Sequence, residues 1–281
     1  MIAILGGLGA ALAWATTTLV ASRATRLIDV RSLLASVMTV GLLVAAPAAA
    51  IAGVPAGLDA HSLIWLAVSG VGNVVGLLFT YSALRIGKVG LVAPITSTEG
   101  AVAAVIAVVA GERLSPGSGV TLAAIAAGVA LAAVSPAEGE ARRSDRRAIL
   151  FAAGAALAFG FGLYSTGRVG QDLGVAWAVL PPRVVGVAVI ALPLALTGQW
   201  RMRRAAVPYV VVGGLCEVLG FASYAIGARH GLAVSAVLAS QFAAIAAVVG
   251  YLVLRERLAR IQVAGIVTIV VGVSVLSALH G

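Results

Sequence analysis

The sequence predicts an all-α membrane protein of ten transmembrane helices, arranged as two related halves of five helices each. Composition is the first of three observations: 61% of the 281 residues are hydrophobic and 10% are charged, against about 25% charged in a soluble domain. Apolar runs of about 20 residues, each long enough to cross about 30 Å of hydrocarbon, recur along the chain. Short motifs of the first half also return in the second half.

The predicted spans are apolar runs separated by short charged or turn-forming segments. We interpret the first run as a membrane helix and not as a signal peptide, because no basic segment precedes it and further spans follow. Pro94 is expected to bend the fourth span near one end. In chain order the ten spans are 2–22, 32–53, 62–84, 88–110, 117–135, 148–168, 174–197, 207–227, 231–254 and 261–279.

An internal repeat relates the two halves of the chain. Gly9-Ala-Ala-Leu-Ala-Trp14 returns as Gly154-Ala-Ala-Leu-Ala-Phe159, and later matches keep an offset of 143 to 145 residues. An alanine-rich chain produces single matches by chance, but a collinear series of matches indicates a repeat. The further matches pair Arg23 with Arg168, Gly70 with Gly213, Tyr81 with Tyr224, Glu112-Arg113-Leu114 with Glu256-Arg257-Leu258, and Gly128 with Gly272.

The repeat divides the chain into a first half at 1–135 and a second half at 148–281, joined by a basic linker loop at 136–147. Each half has five predicted spans, and this odd number forces the second half to enter the membrane upside down relative to the first. Inverted repeats of this kind are an architecture of secondary transporters, in which two similar halves exchange conformations so that a cavity opens on alternate sides.

The basic residues lie in the short gaps between apolar runs. They give the chain a net charge of +9, but they are not gathered on one face as a nucleic-acid-binding surface requires. By our span count, fifteen basic residues lie in odd-numbered loops and three in even-numbered loops. The positive-inside rule therefore places the odd loops in the cytoplasm and both termini outside a bacterial inner membrane.

Polar side chains inside the spans are few, and five of them fall at similar depth on five different spans. A charge at mid-bilayer costs about 2.5–3.5 kcal/mol on insertion scales, so such residues are functional candidates. Carriers place their substrate site at this depth. The predicted substrate-cavity residues at this level are Asn73, Glu99, Arg183, Glu217 and Gln241.

Two interpretations remain open for these midplane residues. Glu99 or Glu217 can exchange a proton while substrate binds, and Arg183 can pair with a carboxylate of the protein or of the substrate through its bidentate fork. Alternatively, the charges form a structural ion pair that holds the helices in one register. Asn73 and Gln241 can line the cavity or form hydrogen bonds between helices.

Three aromatic residues with polar tips complete the predicted cavity: Trp14, Tyr81 and Tyr224. The two tyrosines occupy equivalent positions of the repeat, which favours a role in gating or lining the cavity. The alternative is anchoring at the membrane interface, since both lie near predicted span ends.

Several classes of chemistry are not supported by the sequence. His61, His230 and His280 stand apart from one another and from any cysteine or aspartate cluster, so no metal site is predicted. Cys216 is the only cysteine, which excludes a disulfide within the chain. The sequence contains neither a hydrolase or metalloprotease signature nor a Walker loop. We therefore expect no enzyme activity and no cofactor, and transport has to draw on an ion or substrate gradient.

These features together resemble the drug/metabolite transporter superfamily, in particular its ten-span EamA-type branch. The resemblance lies in the two repeat starts described above, in Tyr81-Ser-Ala-Leu and Tyr224-Ala-Ile-Gly, and in Gly111-Glu-Arg-Leu-Ser and Arg255-Glu-Arg-Leu-Ala. It implies two inverted five-helix repeats around a central cavity and export or exchange of amino acids, related metabolites or drugs. Arg255 departs from the pattern, because a glycine usually precedes this second Glu-Arg pair.

The leading hypothesis is an inner-membrane secondary transporter that exports a small amino-acid-like or drug-like metabolite by alternating access, with proton coupling left open. Smaller four-span relatives use a glutamate in the first span for proton antiport; this chain has none there, so Glu99 and Glu217 do not inherit that role by alignment. The alternative is a lipid or lipid-linked-precursor flippase of the same fold. The expected partners are a small-molecule substrate, membrane lipid and, with coupling, protons; a monomer and a homodimer are both compatible with the sequence.

Overall fold

In the computed structural model, every regular element of the described residues is helical. The described residues are 1–99, 102, 105–106, 109, 116–132, 139–169, 173–230, 239, 242–253 and 260–280. The helices are α1 (Ile2–Ala24), α2 (Val30–Ala52), α3 (Ala60–Ile86), α4 (Val89–Thr96), α5 (Pro116–Ala132), α6 (Gly139–Val169), α7 (Gly174–Leu196), α8 (Val207–Ala228), α9 (Phe242–Val253) and α10 (Arg260–His280). Within α7, the α-helical parts Gly174–Gly186 and Leu192–Leu196 flank a π-helical turn at Val187–Ala191.

Among the described residues, five helical segments are long and apolar enough to cross a membrane: Ile4–Ala24, Val30–Ala52, Ala60–Ile86, Gly174–Leu196 and Arg204–Gly227. Their outer faces carry large apolar side chains, as on Leu12 of α1 and Leu43 of α2, which are more than half exposed. Water disfavours such surfaces, whereas lipid tails accept them. The chain is therefore a multi-pass membrane protein.

Aspartates begin two of the long helices. The Asp29 carboxylate accepts a hydrogen bond from the backbone N–H of Ser32 at the start of α2 (2.9 Å). Asp59 does the same with Ser62 at the start of α3 (2.7 Å). Each bond satisfies a backbone donor that the first helical turn leaves without a partner. At its other end, α2 is terminated by Gly53, whose φ of 72° is accessible to glycine without strain.

Replacing Asp29 by alanine is expected to destabilise the protein by about 1 kcal/mol, because the cap of α2 is lost, whereas Asp29→Asn keeps an accepting oxygen and loses less. Burial raises the pKa of the Asp29 carboxyl, but hydrogen bonds from Ser32 outweigh it and hold the pKa below its ordinary value of 3.8. The ionised form therefore contributes stability that is present at neutral pH and is lost as the pH falls below that value. Unfolding in detergent at pH 7 and pH 3 measures both effects. An equal loss for Asn and Ala would contradict the capping role.

The helices pack in a pattern that is unchanged when the two halves are exchanged. Helix α3 packs along α6, and the equivalent α8 packs along α1. Likewise α3 contacts α7 as α8 contacts α2, and α4 contacts α6 as α9 contacts α1. The remaining major contacts join equivalent helices directly: α2 with α7, α4 with α9, and α5 with α10. The structure thus shows the two-repeat architecture in its packing.

Glycines of the repeat make equivalent contacts in the two halves. A Cβ at Gly128 would lie 3.0 Å from Ile269 Cγ1, and a Cβ at Gly272 would lie 2.5 Å from Ile125 Cγ1. Small residues let membrane helices approach closely, and in lipid this packing replaces the missing hydrophobic drive. The Gly128–Gly272 match of the sequence therefore marks one reciprocal contact between α5 and α10.

The aromatic residues that end the first repeat motif also sit against glycines. The Trp14 indole of α1 lies against Gly220 of α8, and the Phe159 ring of α6 lies against Gly76 of α3. Both glycines leave the space that a ring occupies, since a Cβ at either position would overlap it. The last residue of the repeated motif, Trp14 in one half and Phe159 in the other, thus makes the same ring-to-glycine contact in both halves.

Two helix boundaries differ from the sequence-based expectation. Residues 139–147, which were expected in the linker loop, form the first turns of α6. Charged residues such as Arg146 and Arg147 are compatible with a helix that extends beyond the hydrocarbon, so the apolar run marks only the membrane part of α6. The fourth span was predicted over 88–110 with a bend at Pro94; α4 ends at Thr96 in a turn, and the described residues that follow, 99, 102, 105–106 and 109, are helical. Residues 110–115, which include Glu112 and Arg113, lie outside the described part.

Hydrogen bonds between connections tie the basic ends of the helices together. Ser144, near the start of α6, donates to the carbonyl of Ile86 at the end of α3 (2.7 Å). The N–H of Arg201, after α7, donates to Ser32 at the start of α2 (3.1 Å). Each bond joins two odd-numbered connections of the predicted topology. Connections that are bonded in this way lie on the same side of the membrane.

Candidate functional site

A buried ion pair joins two helices of the second half. Arg183 of α7 and Glu217 of α8 are 1% and 5% exposed, and Arg183 Nη2 lies 3.5 Å from Glu217 Oε2. This is a single long contact, not the bidentate pairing that an arginine and a carboxylate form at their best. The two residues were predicted separately as midplane candidates, and the structure brings them together.

Glycine and aromatic contacts position the Arg183 side chain. Gly41 of α2 leaves room for its stem, because a Cβ there would lie 3.0 Å from Arg183 Cγ and 3.2 Å from Nε. The guanidinium carbon lies 4.9 Å from the centre of the Phe221 ring, in cation–π geometry. Phe221 was not among the predicted site residues; its position one helical turn after Glu217 on α8 is the signal that would have found it.

Met38 is the counterpart of Arg183 in the first half. The Met38 side chain lies against Gly186 of α7, as Arg183 lies against Gly41 of α2. Both pairs, Met38 with Arg183 and Gly41 with Gly186, are separated by 145 residues, which is the offset at the start of the repeat. The α2–α7 contact is therefore reciprocal in shape but carries a charge from one half only.

Among the described residues, several buried side-chain atoms of α3 and α7 have no hydrogen-bond partner. Arg183 Nη1 and the Tyr81 hydroxyl both lack one, and the helices that carry them, α7 and α3, pack against each other. Thr80, which the sequence analysis did not single out, is buried with an unpaired hydroxyl next to Tyr81. Tyr81 is 1% exposed, which argues against interfacial anchoring. Buried polar groups without partners are uncommon, so this set stands out.

Asn73 lies farther along α3. Among the described residues its side-chain oxygen is buried without a hydrogen-bond partner, and its backbone lies beside Gly162 of α6. Eight residues separate Asn73 from Tyr81, which corresponds to about 12 Å along the helix. The structure thus places Asn73 at the α3–α6 contact, away from the Tyr81 ring. Gln241 lies outside the described residues.

Glu99 follows a break in its helix. After α4 ends at Thr96, Ser97 donates a side-chain hydrogen bond to the carbonyl of Pro94 (2.8 Å), and Thr98 donates one to Ile95 (2.7 Å). Proline cannot donate a backbone hydrogen bond, and serine and threonine that bond back to carbonyls compete with helix continuation. The backbone carbonyl of Glu99 lies against α6, since a Cβ at Gly160 would lie 3.0 Å from that oxygen.

Aromatic rings of three helices surround this region. Trp14 contacts Phe221 edge-on at 5.4 Å between ring centres, Tyr224 in a tilted arrangement at 6.1 Å, and Phe242 edge-on at 6.3 Å. Of the predicted cavity residues, the structure therefore connects four through ring and ion contacts, with Phe221 between them: Trp14, Tyr224, Arg183 and Glu217.

The chemistry available to this cluster is ionic and aromatic recognition. Arginine binds carboxylates and phosphates, glutamates bind cations or protons, and aromatic rings accept apolar groups and cations. Among the described residues, no group of three or more histidine, cysteine, aspartate or glutamate side chains is arranged to hold a metal ion.

Comparison with known proteins agrees with this architecture. The family model of the EamA-like transporter family matches the chain twice, over residues 1–134 and 146–278. A solved structure, described as the crystal structure of a protein, is similar over 98% of this chain and 96% of its own, with a TM-score of 0.64 and 20% sequence identity. At this identity the similarity shows a common fold. No curated protein sequence matches the chain significantly.

Proposed function

The chain belongs to the EamA-like transporter family, and we propose that it exports a small amino-acid-like or drug-like metabolite across the bacterial inner membrane by alternating access. The observation that carries this proposal is the buried pair of Arg183 and Glu217, set where α7 and α8 meet α2 and α3. Isolated charges inside a membrane bundle are costly and mark substrate or ion pathways.

The proposed topology has ten spans in two inverted halves, 1–135 and 148–281, around a central cavity. The helix contacts support it, because they are the same when the first half is compared with the second. Alternating access in repeat transporters depends on two halves that can each adopt the other's conformation. The hydrogen bonds that join odd-numbered connections support a common side for the basic loops, which the positive-inside rule makes the cytoplasm. Neither the family match nor a contact among the described residues favours a lipid flippase, so we do not propose one.

Proton coupling is the finer part of the proposal. Glu99 directly follows the two-residue turn that ends α4. Interruptions in membrane helices are where repeat transporters place substrate and coupling-ion sites. Glu217, the buried partner of Arg183, is a second carboxylate inside the bundle. We assign Glu99 as the proton-exchanging residue and Glu217 as its partner.

Flux in proteoliposomes tests both parts. The purified protein is reconstituted into liposomes and given a panel of radiolabelled amino acids and drug-like amines. It is expected to transport at least one of these compounds. With one proton exchanged per substrate, a gradient of one pH unit supports about a tenfold concentration ratio. Glu99→Gln is expected to abolish this accumulation while leaving exchange of labelled for unlabelled substrate.

Two results would contradict the proposal at different levels. Absence of flux for every compound in the panel would reject the transporter function. Flux whose pH dependence survives both Glu99→Gln and Glu217→Gln would leave the transporter function standing and reject coupling through these residues. Asp59→Asn, which changes an exposed carboxyl and keeps the cap of α3, is the matched control.

A further inference from the structure

The hydrogen-bonding capacity of Arg183 is mostly unused in the described structure. A guanidinium has five N–H donors in a fixed fork. Its one ion pair here is the 3.5 Å contact from Nη2 to Glu217, and Nη1 is buried without a partner. A buried ion pair offsets its desolvation only when further hydrogen bonds satisfy both groups. The pair is therefore incomplete as it stands.

The surroundings of the guanidinium favour a planar anion at its edge. The guanidinium carbon lies over the Phe221 ring, 4.9 Å from its centre, and Gly41 packs against Cγ and Nε of Arg183. Neither contact is a hydrogen bond, so the N–H groups in the guanidinium plane stay available. A carboxylate matches this edge with two parallel hydrogen bonds.

Tyr81 offers a second donor to the same anion. Among the described residues its hydroxyl is buried and has no hydrogen-bond partner, and its helix, α3, packs against α7, which carries Arg183. An unpaired buried hydroxyl is costly, so a ligand oxygen that accepts from it recovers a hydrogen bond. Tyr81 belongs to α3 of the first half and Arg183 to α7 of the second, so one anion would contact both halves.

We propose that Arg183 binds the carboxylate of the transported substrate, which replaces Glu217 on the guanidinium while the Tyr81 hydroxyl donates to the same carboxylate. The inference rests on the proposed transport function and adds the chemical group that the site recognises. Met38, the counterpart of Arg183 in the first half, carries no charge, so a single carboxylate site is expected per chain.

A carboxylate can reach this site on two kinds of molecule. A zwitterion also brings an ammonium group, which the released Glu217 carboxylate would attract. A simple monocarboxylate brings no such group and requires a proton to accompany it. The shared group is the carboxylate, and the experiment separates the two sources.

Binding to the purified full-length protein is measured by thermal shift and calorimetry. The probes are alanine, leucine and phenylalanine with their carboxamides, and propionate, 4-methylpentanoate and 3-phenylpropionate with theirs. At least one carboxylate is expected to bind, about 10- to 100-fold more tightly than its carboxamide, which is the range for a charge-assisted hydrogen-bond pair. Binding of the amino acids alone identifies a zwitterion site, and binding of both series identifies a monocarboxylate site.

Substitutions test whether Arg183 and Tyr81 cause the preference for a carboxylate over its carboxamide. Arg183→Lys keeps the charge but loses the fork, and it is expected to weaken carboxylate binding about tenfold with no effect on the carboxamide. Tyr81→Phe is expected to weaken it about fivefold. Arg183→Met combined with Glu217→Gln removes both charges and should abolish the preference for the carboxylate. Arg146→Lys, at an exposed position of α6, is the matched control and should leave binding unchanged.

The outcomes separate this inference from the proposed function. If carboxamides bind and are transported as well as carboxylates, the transport function stands and the carboxylate site is overturned. The carboxylate site is also overturned if Arg183→Lys and Tyr81→Phe keep the full preference for carboxylate over carboxamide. Failure of every carboxylate to bind would also overturn it. Arg183-dependent binding without flux in proteoliposomes would keep the carboxylate site and reject the transporter.

Discussion

Glu217→Gln is expected to destabilise the protein by about 3–5 kcal/mol, because it leaves the Arg183 charge buried without a counter-charge. Arginine does not deprotonate in proteins, so Arg183 has no way to neutralise itself. Arg183→Met is expected to have a smaller effect, since Glu217 can take up a proton once its partner is gone. Reversible unfolding in mixed detergent measures the free energy of each variant.

The double variant decides whether the two residues act as a pair. Arg183→Met with Glu217→Gln is expected to be more stable than the sum of the single effects predicts, with a coupling of about 0.5–3 kcal/mol. The exposed Asp59→Asn, a carboxylate-to-amide change outside the bundle, should remain within about 0.5 kcal/mol of the parent. A loss of that small size for Glu217→Gln would show that Glu217 does not compensate Arg183.

Gly72→Ala is expected to destabilise the bundle by about 1–3 kcal/mol through overpacking. A Cβ at Gly72 of α3 would lie 2.7 Å from the carbonyl oxygen of Ala158 and 3.0 Å from Gly162 Cα, both on α6. These are backbone atoms of a neighbouring helix, and they cannot rotate away as a side chain can. Helices α3 and α6 would have to separate, which would also disturb the contact between the two halves.

Gly119→Ala provides the matched control for this packing effect. Gly119 lies in α5, where a Cβ would meet nothing within 4 Å. Alanine favours a helix over glycine by about 1 kcal/mol, so the same substitution is expected to be neutral or stabilising there. Unfolding of both variants in detergent checks the opposite signs. Equal effects at the two sites would contradict the close approach of α3 and α6.

The repeat and the two charged residues were each accessible from sequence, because the repeat leaves collinear motifs and a charge is rare in an apolar span. Charges are rare in the spans, so Arg183 and Glu217 stand out without an alignment. The matched glycines 128 and 272 were likewise visible, and the structure gives their physical meaning as one reciprocal contact. The family assignment rests on the same ordered motifs and is confirmed.

Other features left no comparable signal. The break before Glu99 depends on Ser97 and Thr98 bonding back to carbonyls in a particular geometry, and Pro94 alone predicted only a bend. Residues 139–147 were assigned to a loop because charge ends an apolar run, although charge does not end a helix. Thr80 is an ordinary residue of an apolar helix until its hydroxyl is found buried and unpaired.

Sequence alone was sufficient for the membrane class, the two repeats and the identity of the charged residues, because each follows from composition, run length or spacing along the chain. The partner of each charge required the folded structure. Leu12 is 58% exposed and Leu33 is 1% exposed, yet both are leucines in apolar spans. In lipid the outer and inner faces of a helix are both apolar, so periodicity does not reveal which face turns inward. Only the packing of α7 and α8 against α2 and α3 brings Arg183, Glu217 and Tyr81 to one place.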